Sequence, residues 1–555
     1  MALFPPEFIA GIIFAFFQMR LRSFFSLASF LVNKLTFFLP PEDDLIDQLN
    51  GKAPGDGKKQ KQAKKELTAD ERMQIFYVKC AKTESGVFQQ ALFFDLYEMM
   101  IMLVTSTVFA YSFGEAFAFG KQFFTTAEAN DTAYQPEISV YGLFSAFFVC
   151  IWFPLQVKFA QGLTTYESRL GIGVGSLGFI VALFVLYAPK GLLDFDVENA
   201  LAAVGGRIEI VLRALGFVDG DMANVARTAE WIRVLIILQI AALAGVFTST
   251  AFLPAFRFAR MYAEMTSDPQ TSAIRKLLLH INMLLPLLIT VFWIKPLSTD
   301  MFVPKSMVPC MDRAFTSDCV RPGAESSFGL TESKWHATRI YVVLAAVVIR
   351  LVCLRGHLQF FLIEPKDSIV QIVRRPGPVD GEILKSKVRI QFNYVPVIAI
   401  QYLAPVGALL ACALLLARQT QTSMGLYSSI ASLMPSAWNA TAGTSGVLLP
   451  DNTPPNFGSF RLGADIDRDA MALVIKAMTQ FQVFTPAFHV SFFGFFIWWV
   501  SFNWFVVSVA GLVYWKNAPH LSSSDEQDAA DARRNKQTPK LLKNQLKSLK
   551  MKKHI

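Results

Sequence analysis

The sequence predicts an all-α fold, a polytopic transmembrane helix bundle of about nine spans: eight plus a retained N-terminal helix. Three observations predict it. More than half of the 555 residues are hydrophobic and Phe alone contributes 51. Only 17% are charged, against about 25% in soluble domains. The apolar runs approach the ~20 residues that a helix needs to cross ~30 Å of hydrocarbon, without the alternation of barrel strands.

Candidate spans fall at residues 2–19, 93–117, 138–158, 170–188, 231–254, 277–295, 339–360, 394–417 and 486–514. Placing the connections after the first, third, fifth and seventh spans, together with the C-terminal tail, on one side collects most of the 52 basic residues. That side is expected to be cytosolic. The N-terminus is then lumenal or extracellular and the C-terminus cytosolic. Both N-x-[ST] sequons, at Asn130 and Asn439, fall in outer loops, where they are candidate glycosylation sites. The two cysteines on that side, Cys310 and Cys319, share one loop and form a candidate disulfide in an oxidising lumen, with two unpaired thiols as the alternative. Met1–Met19 lacks the basic n-region and the small-residue cleavage site of a signal peptide, so it is expected to be retained, with Arg20 and Arg22 as its cytosolic stop.

The expected organisation follows. Residues 1–36 carry the first helix and a helix along the inner surface, 37–91 a basic cytosolic linker, 92–515 an eight-helix bundle, and 516–555 a basic cytosolic tail. The outer loops are 119–137, 189–230, 296–338 and 418–485. Residues 51–66, GKAPGDGKKQKQAKKE, are low-complexity and basic, which suits either a solvated loop or contact with anionic lipid. Leu201, Val204, Ile208, Val211, Leu212 and Leu215 recur at helical spacing, the stripe of an amphipathic helix lying on the membrane or on the bundle. The last four residues place Lys552 and Lys553 as in a dilysine retrieval signal of the endoplasmic reticulum, an address read from the cytosol. The tail's Leu542, Leu546 and Leu549 stripe suits instead a basic helix on anionic lipid. The membrane is therefore that of the early secretory pathway or the cell surface.

GIGVGSLG, residues 171–178, matches a dinucleotide-binding fingerprint but lies inside a span without the strand that motif requires. Gly171 and Gly175, four apart, suit close helix packing. There is no H-E-x-x-H, C-x-x-C or G-x-S-x-G, so nothing calls for a catalytic residue, a metal or another cofactor. Nothing points to nucleic acid as a partner either; the bilayer itself is the expected one.

Chemistry is left to polar residues inside the spans, which are costly in hydrocarbon. Asp95 and Glu98 share one face of the second span, whereas His280 and Asn282 point to nearly opposite faces of the sixth. Arg350, Cys353 and His357 share a face of the seventh, with Arg355 on another. Most of these lie in the inner half of the membrane, so carboxylates of span two facing arginines of span seven form an economical arrangement. A structural polar network and a water-filled ion pathway are both open. A third reading, an intramembrane lipid-modifying enzyme using His280, requires a pocket at that residue. Lys295 is expected to anchor the outer end of the sixth span.

Residues 253–261 (LPAFRFARM), 277–300 (LLLHINMLLPLLITVFWIKPLSTD), 355–362 (RGHLQFFL), 397–406 (VIAIQYLAPV) and 484–499 (FTPAFHVSFFGFFIWW) resemble the transmembrane protein 161 family. That resemblance implies a multi-pass protein without an established enzymatic activity, linked to modulation of ion currents and membrane excitability, including cardiac rhythm, and to oxidative-stress protection; it could modulate ion-channel subunits as partners or itself be a channel or transporter. Matched positions include His280, Asn282, Lys295, Arg355, His357, Gln359 and Gln401. The lysine-rich tail departs from the family pattern.

Overall fold

A computed structural model describes residues 6–50, 71–124, 137–160, 166–187, 192–214, 222–303, 308–309, 320–321, 332–374, 379–420 and 486–517, apart from positions 23, 72–74, 78, 85–86, 196 and 270. Eight of the described helices are long and apolar enough to cross a membrane. They are α4 (Phe94–Phe124), α5 (Glu137–Ala160), α6 (Tyr166–Leu186), α8 (Met222–Ser267), α9 (Ala273–Phe292), α11 (Glu332–Ile363), α13 (Gly381–Gln419) and α14 (Pro486–Asn517). The shorter helices are α1 (Pro6–Leu21), α2 (Leu27–Val32), α3 (Asp43–Leu49), α7 (Val197–Ala214), α10 (Thr299–Phe302) and α12 (Pro365–Arg374). The expected polytopic all-α bundle is the fold observed.

α1, 16 residues and therefore ~24 Å long, runs antiparallel to the flank of α4. Its register is read from the stacking of Phe14 on Phe109 at 4.2 Å and from Gln18, whose Nε2 donates to Thr105 Oγ1 at 3.0 Å. The inner-surface helix expected over residues 20–35 is shorter: α1 stops at Leu21 and α2 has six residues. Ala28 and Val32 of α2 are buried, and Tyr97 Oη donates to Ala28 O. This segment therefore packs on the bundle.

α13 sits between α5, α11, α14 and α4, and 89% of its most apolar window is buried. It is the axis of the bundle. α6 and α8 approach closely where the sequence places its glycines. A Cβ at Gly175 would stand 2.7 Å from that of Ser249, and one at Gly178 2.7 Å from that of Thr248. Gly173 faces open space. The glycine run thus packs helices, as small residues do in lipid.

Among the described residues, two small antiparallel sheets interrupt the helices. β1 (Thr36–Phe38) pairs with β2 (Cys80–Lys82), and β3 (Val308–Pro309) with β4 (Val320–Arg321). The first sheet docks on α11 through Gln359, whose Oε1 accepts from Thr36 N at 2.8 Å and whose Nε2 donates to Thr36 O at 2.9 Å. A side-chain amide here satisfies both backbone groups of an edge residue. α3 extends this inner cap: Asn50 exchanges two hydrogen bonds with the backbone of Val379, while Leu49, Val373 and Val379 are buried together.

Val197, Ala200, Leu201 and Val204 of α7 are buried against the bundle. Leu201 and Val204 of its stripe therefore cover protein. Residues 51–66, the pattern near 467–480 and the tail beyond Asn517 lie outside the described residues.

Candidate functional site

The polar residues expected to meet at one depth divide into two groups. At the N-terminal end of α4, Arg22 reaches both carboxylates. Its Nη2 donates to Asp95 Oδ1 at 2.7 Å, and its Nε lies 2.7 Å from Glu98 Oε2. Glu98 is sealed, with 3% of its side chain exposed, and Ser26 Oγ donates to its other oxygen. Asp95 is exposed. The pairing with span-seven arginines is thereby overturned. The antiparallel α1 delivers Arg22 to these carboxylates first, and Arg355, exposed, donates instead to Asn33 O at 2.6 Å.

The second group is buried and lies on four helices around Tyr402. The Tyr402 hydroxyl donates to Arg350 O at 3.1 Å, and its ring stacks on that of His357 with centroids 4.8 Å apart. Arg350, His357 and Asn282 are 2%, 3% and 1% exposed, as buried as the apolar core. The Arg350 guanidinium lies 4.4 Å from the ring centroid of Trp504, which meets Tyr402 edge-on. His357 Nδ1 is 3.4 Å from Met261 Sδ. Beside this set, Arg257 Nη1 donates to Gln401 Oε1 at 3.1 Å.

His280 does not join them. It is exposed, and its Nδ1 is 2.8 Å from the Tyr262 hydroxyl on α8. The opposite-face reading of His280 and Asn282 is what separates them. Lys295 is half-buried just past α9, and its backbone N–H donates to Leu192 O at 2.9 Å, tying that end of the helix to the preceding outer loop.

Two features had no place in the sequence reading. Near the N-terminal end of α11, Arg339 (3% exposed) pairs with Asp194 at 2.5 Å, and Thr299 Oγ1 both donates to Asp194 Oδ2 and accepts from Arg339. The guanidinium lies between Trp293 and Trp335, at 5.3 and 5.2 Å. Burial opposes ionisation of Asp194, but Arg339, the Thr299 hydroxyl and His336 outweigh it and hold the carboxyl below its ordinary range. The signal available was an arginine near the outer end of a span whose neighbours carry tryptophans. The second feature is Lys158, whose Nζ donates to Ser249 O and Ser249 Oγ at 2.9 and 2.7 Å across the glycine seam.

Asn130, Asn439, Cys310, Cys319, Lys552 and Lys553 lie outside the described residues. Among the described residues, no group of three or more His, Cys, Asp or Glu side chains could hold a metal ion. No solved structure matches the chain. The model of the predicted transmembrane protein 161AB family matches residues 2–518, the whole bundle and every residue of the two polar groups, and the chain belongs to that family.

Proposed function

We propose that this multi-pass protein regulates ion currents or membrane excitability without catalysing a reaction, by contact with ion-channel subunits. The observation that supports a regulator over a conduction pathway is the burial of α13, which fills the bundle axis with packed side chains. Lipid modification at His280 is the weaker reading, because that ring is engaged by Tyr262 on the neighbouring helix. The test is purified full-length protein in liposomes, alone and with a reconstituted channel. Regulation predicts no ion flux from the protein alone and an altered current from the channel. Flux through the protein alone overturns it.

The same reading carries the orientation with the basic loops in the cytosol, glycan at Asn130 and Asn439, and retrieval through Lys552 and Lys553. It also carries the Cys310–Cys319 disulfide. The ladder pairs Val308 with Arg321 and Pro309 with Val320, and these pairs step in sequence toward the two cysteines. Alkylation with and without prior reduction distinguishes the disulfide from free thiols, and a C-terminal reporter reads the orientation.

A further inference from the structure

We infer that the bilayer-facing edge where α8 meets α9 binds the headgroup of an anionic glycerophospholipid, with Lys276 on its phosphate and His280 beneath it. The apolar run of α9 begins at Leu277, so Lys276 stands at the hydrocarbon boundary and His280 one turn inside. Four residues apart, the two side chains share a helix face and are separated by about 6 Å along the axis. His280 is exposed there, beside Leu277 and Leu284, which are 59% and 58% exposed and face lipid. An ionisable ring on a lipid-facing surface is costly unless something polar meets it.

Tyr262 meets only half of that ring. Its hydroxyl is 2.8 Å from His280 Nδ1, and the two rings stand edge-on with centroids 5.5 Å apart. A phenol is the better donor and an imidazole nitrogen the better acceptor, so Tyr262 donates to Nδ1 and the ring proton sits on Nε2. Among the described residues Nε2 has no protein partner, and its N–H is left to donate toward the membrane.

The charge balance supplies the second observation. Arg275 and Lys276 stand in the first turn of α9, which holds no acidic residue and is the end of a helix that disfavours cations. Neither has a hydrogen-bond or ion-pair partner among the described residues. The acids of the same helical hairpin are engaged: Glu264 Oε1 accepts from Arg260 Nε at 2.8 Å, and Asp268 Oδ2 from Thr271 Oγ1 at 3.3 Å. The edge is therefore positive. At headgroup depth the abundant anion is lipid phosphate, and a phosphate on Lys276 forms a charge-assisted hydrogen bond while its field also compensates Arg275. The ester oxygens of the same lipid lie one step deeper, at the level of His280 Nε2. The inference asks for binding without chemistry and stands independently of current regulation.

The test uses full-length protein in detergent, stripped of native lipid, with dioctanoyl phosphatidic acid as the probe. That lipid is expected to raise Tm saturably, on the order of 1–3 °C, by binding the folded state. Dioctanoyl phosphatidylcholine and inorganic phosphate, at matched ionic strength, separate an anionic lipid from a zwitterionic one and from free phosphate, and neither is expected to give that shift. Lys276→Gln removes a side chain without a protein partner, so the fold is expected to survive it, while the half-saturating concentration rises about tenfold. His280→Phe is expected to raise it several-fold. Lys516→Gln, at the exposed end of α14, is expected to leave it unchanged. Absence of a saturable shift, an equal shift with phosphate or phosphatidylcholine, or an unchanged half-saturating concentration in Lys276→Gln or His280→Phe overturns the inference. Equal weakening in Lys276→Gln and Lys516→Gln overturns it as well.

Discussion

The ends of the bundle and its middle handle charge differently. At the inner end Arg22 is set against Asp95 and Glu98, and Lys385 against Asp43. At the outer end Arg339 is set against Asp194. In the middle, the Arg350 guanidinium lies over the Trp504 ring, and the Tyr402 hydroxyl donates to its backbone carbonyl. Near water a carboxylate can be recruited from a loop or a short helix. At depth it would have to come from another span, at a further insertion cost. Ion pairs at the ends therefore fasten connecting segments, whereas the buried guanidinium in the middle is met by an aromatic face.

The largest expected effect breaks the outer pair. Asp194→Ala removes the carboxylate 2.5 Å from the buried Arg339, which should lower stability by roughly 3–5 kcal/mol. Adding Arg339→Leu should recover most of that loss in a thermal denaturation series. Independent, additive losses would show that the pair does not fasten the loop.

Acid should release the same contact. The folded carboxyl of Asp194 lies below its unfolded value of about 3.9, so its contribution is complete above that pH. It is lost as pH falls through the lower, folded value. A stability profile taken downward from pH 5 should show this loss in the native chain and lack it in Asp194→Asn. Identical acid limbs would count against the assignment.

At the inner end the effect is smaller. Arg22→Ala leaves sealed Glu98 with the Ser26 hydroxyl, an expected loss of roughly 1–3 kcal/mol, moderated because Arg22 is 45% exposed. Denaturation with Glu98→Gln in the same chain should restore part of it.

Asp95→Asn should change stability least, by about 0–1 kcal/mol, since both partners face solvent. Combined with Arg355→Leu it should be additive, because Arg355 bonds a backbone carbonyl elsewhere. Coupling between these two would revive the arrangement expected from the sequence.

What the sequence made legible follows from local rules. Span lengths follow from hydropathy, the α6–α8 seam from Gly171 and Gly175, and the opposed faces of His280 and Asn282 from helical periodicity. The shared, buried face of Arg350, Cys353 and His357 follows from the same periodicity. Partner choice was not legible, because depth along the membrane does not say which helices are neighbours. Arg22 took Asp95 and Glu98 because α1 packs beside α4, a tertiary fact. Tyr402 as the hub and the Asp194–Arg339 pair escaped for the same reason. A tyrosine in an apolar run, or an aspartate in a loop, carries no pattern of its own.

The Gln359 contact with Thr36 bears on biogenesis. The two residues are 323 positions apart, and β1 can pair with β2 long before α11 exists. At a synthesis rate of ~5–20 residues per second, Thr36 waits roughly 15–65 s for Gln359. Throughout that interval the outer edge of the nascent sheet is open at the membrane surface. Quality-control factors that survey unfinished membrane proteins would meet an exposed strand edge there, and the arrival of the sixth long helix's amide would mark this cap as complete.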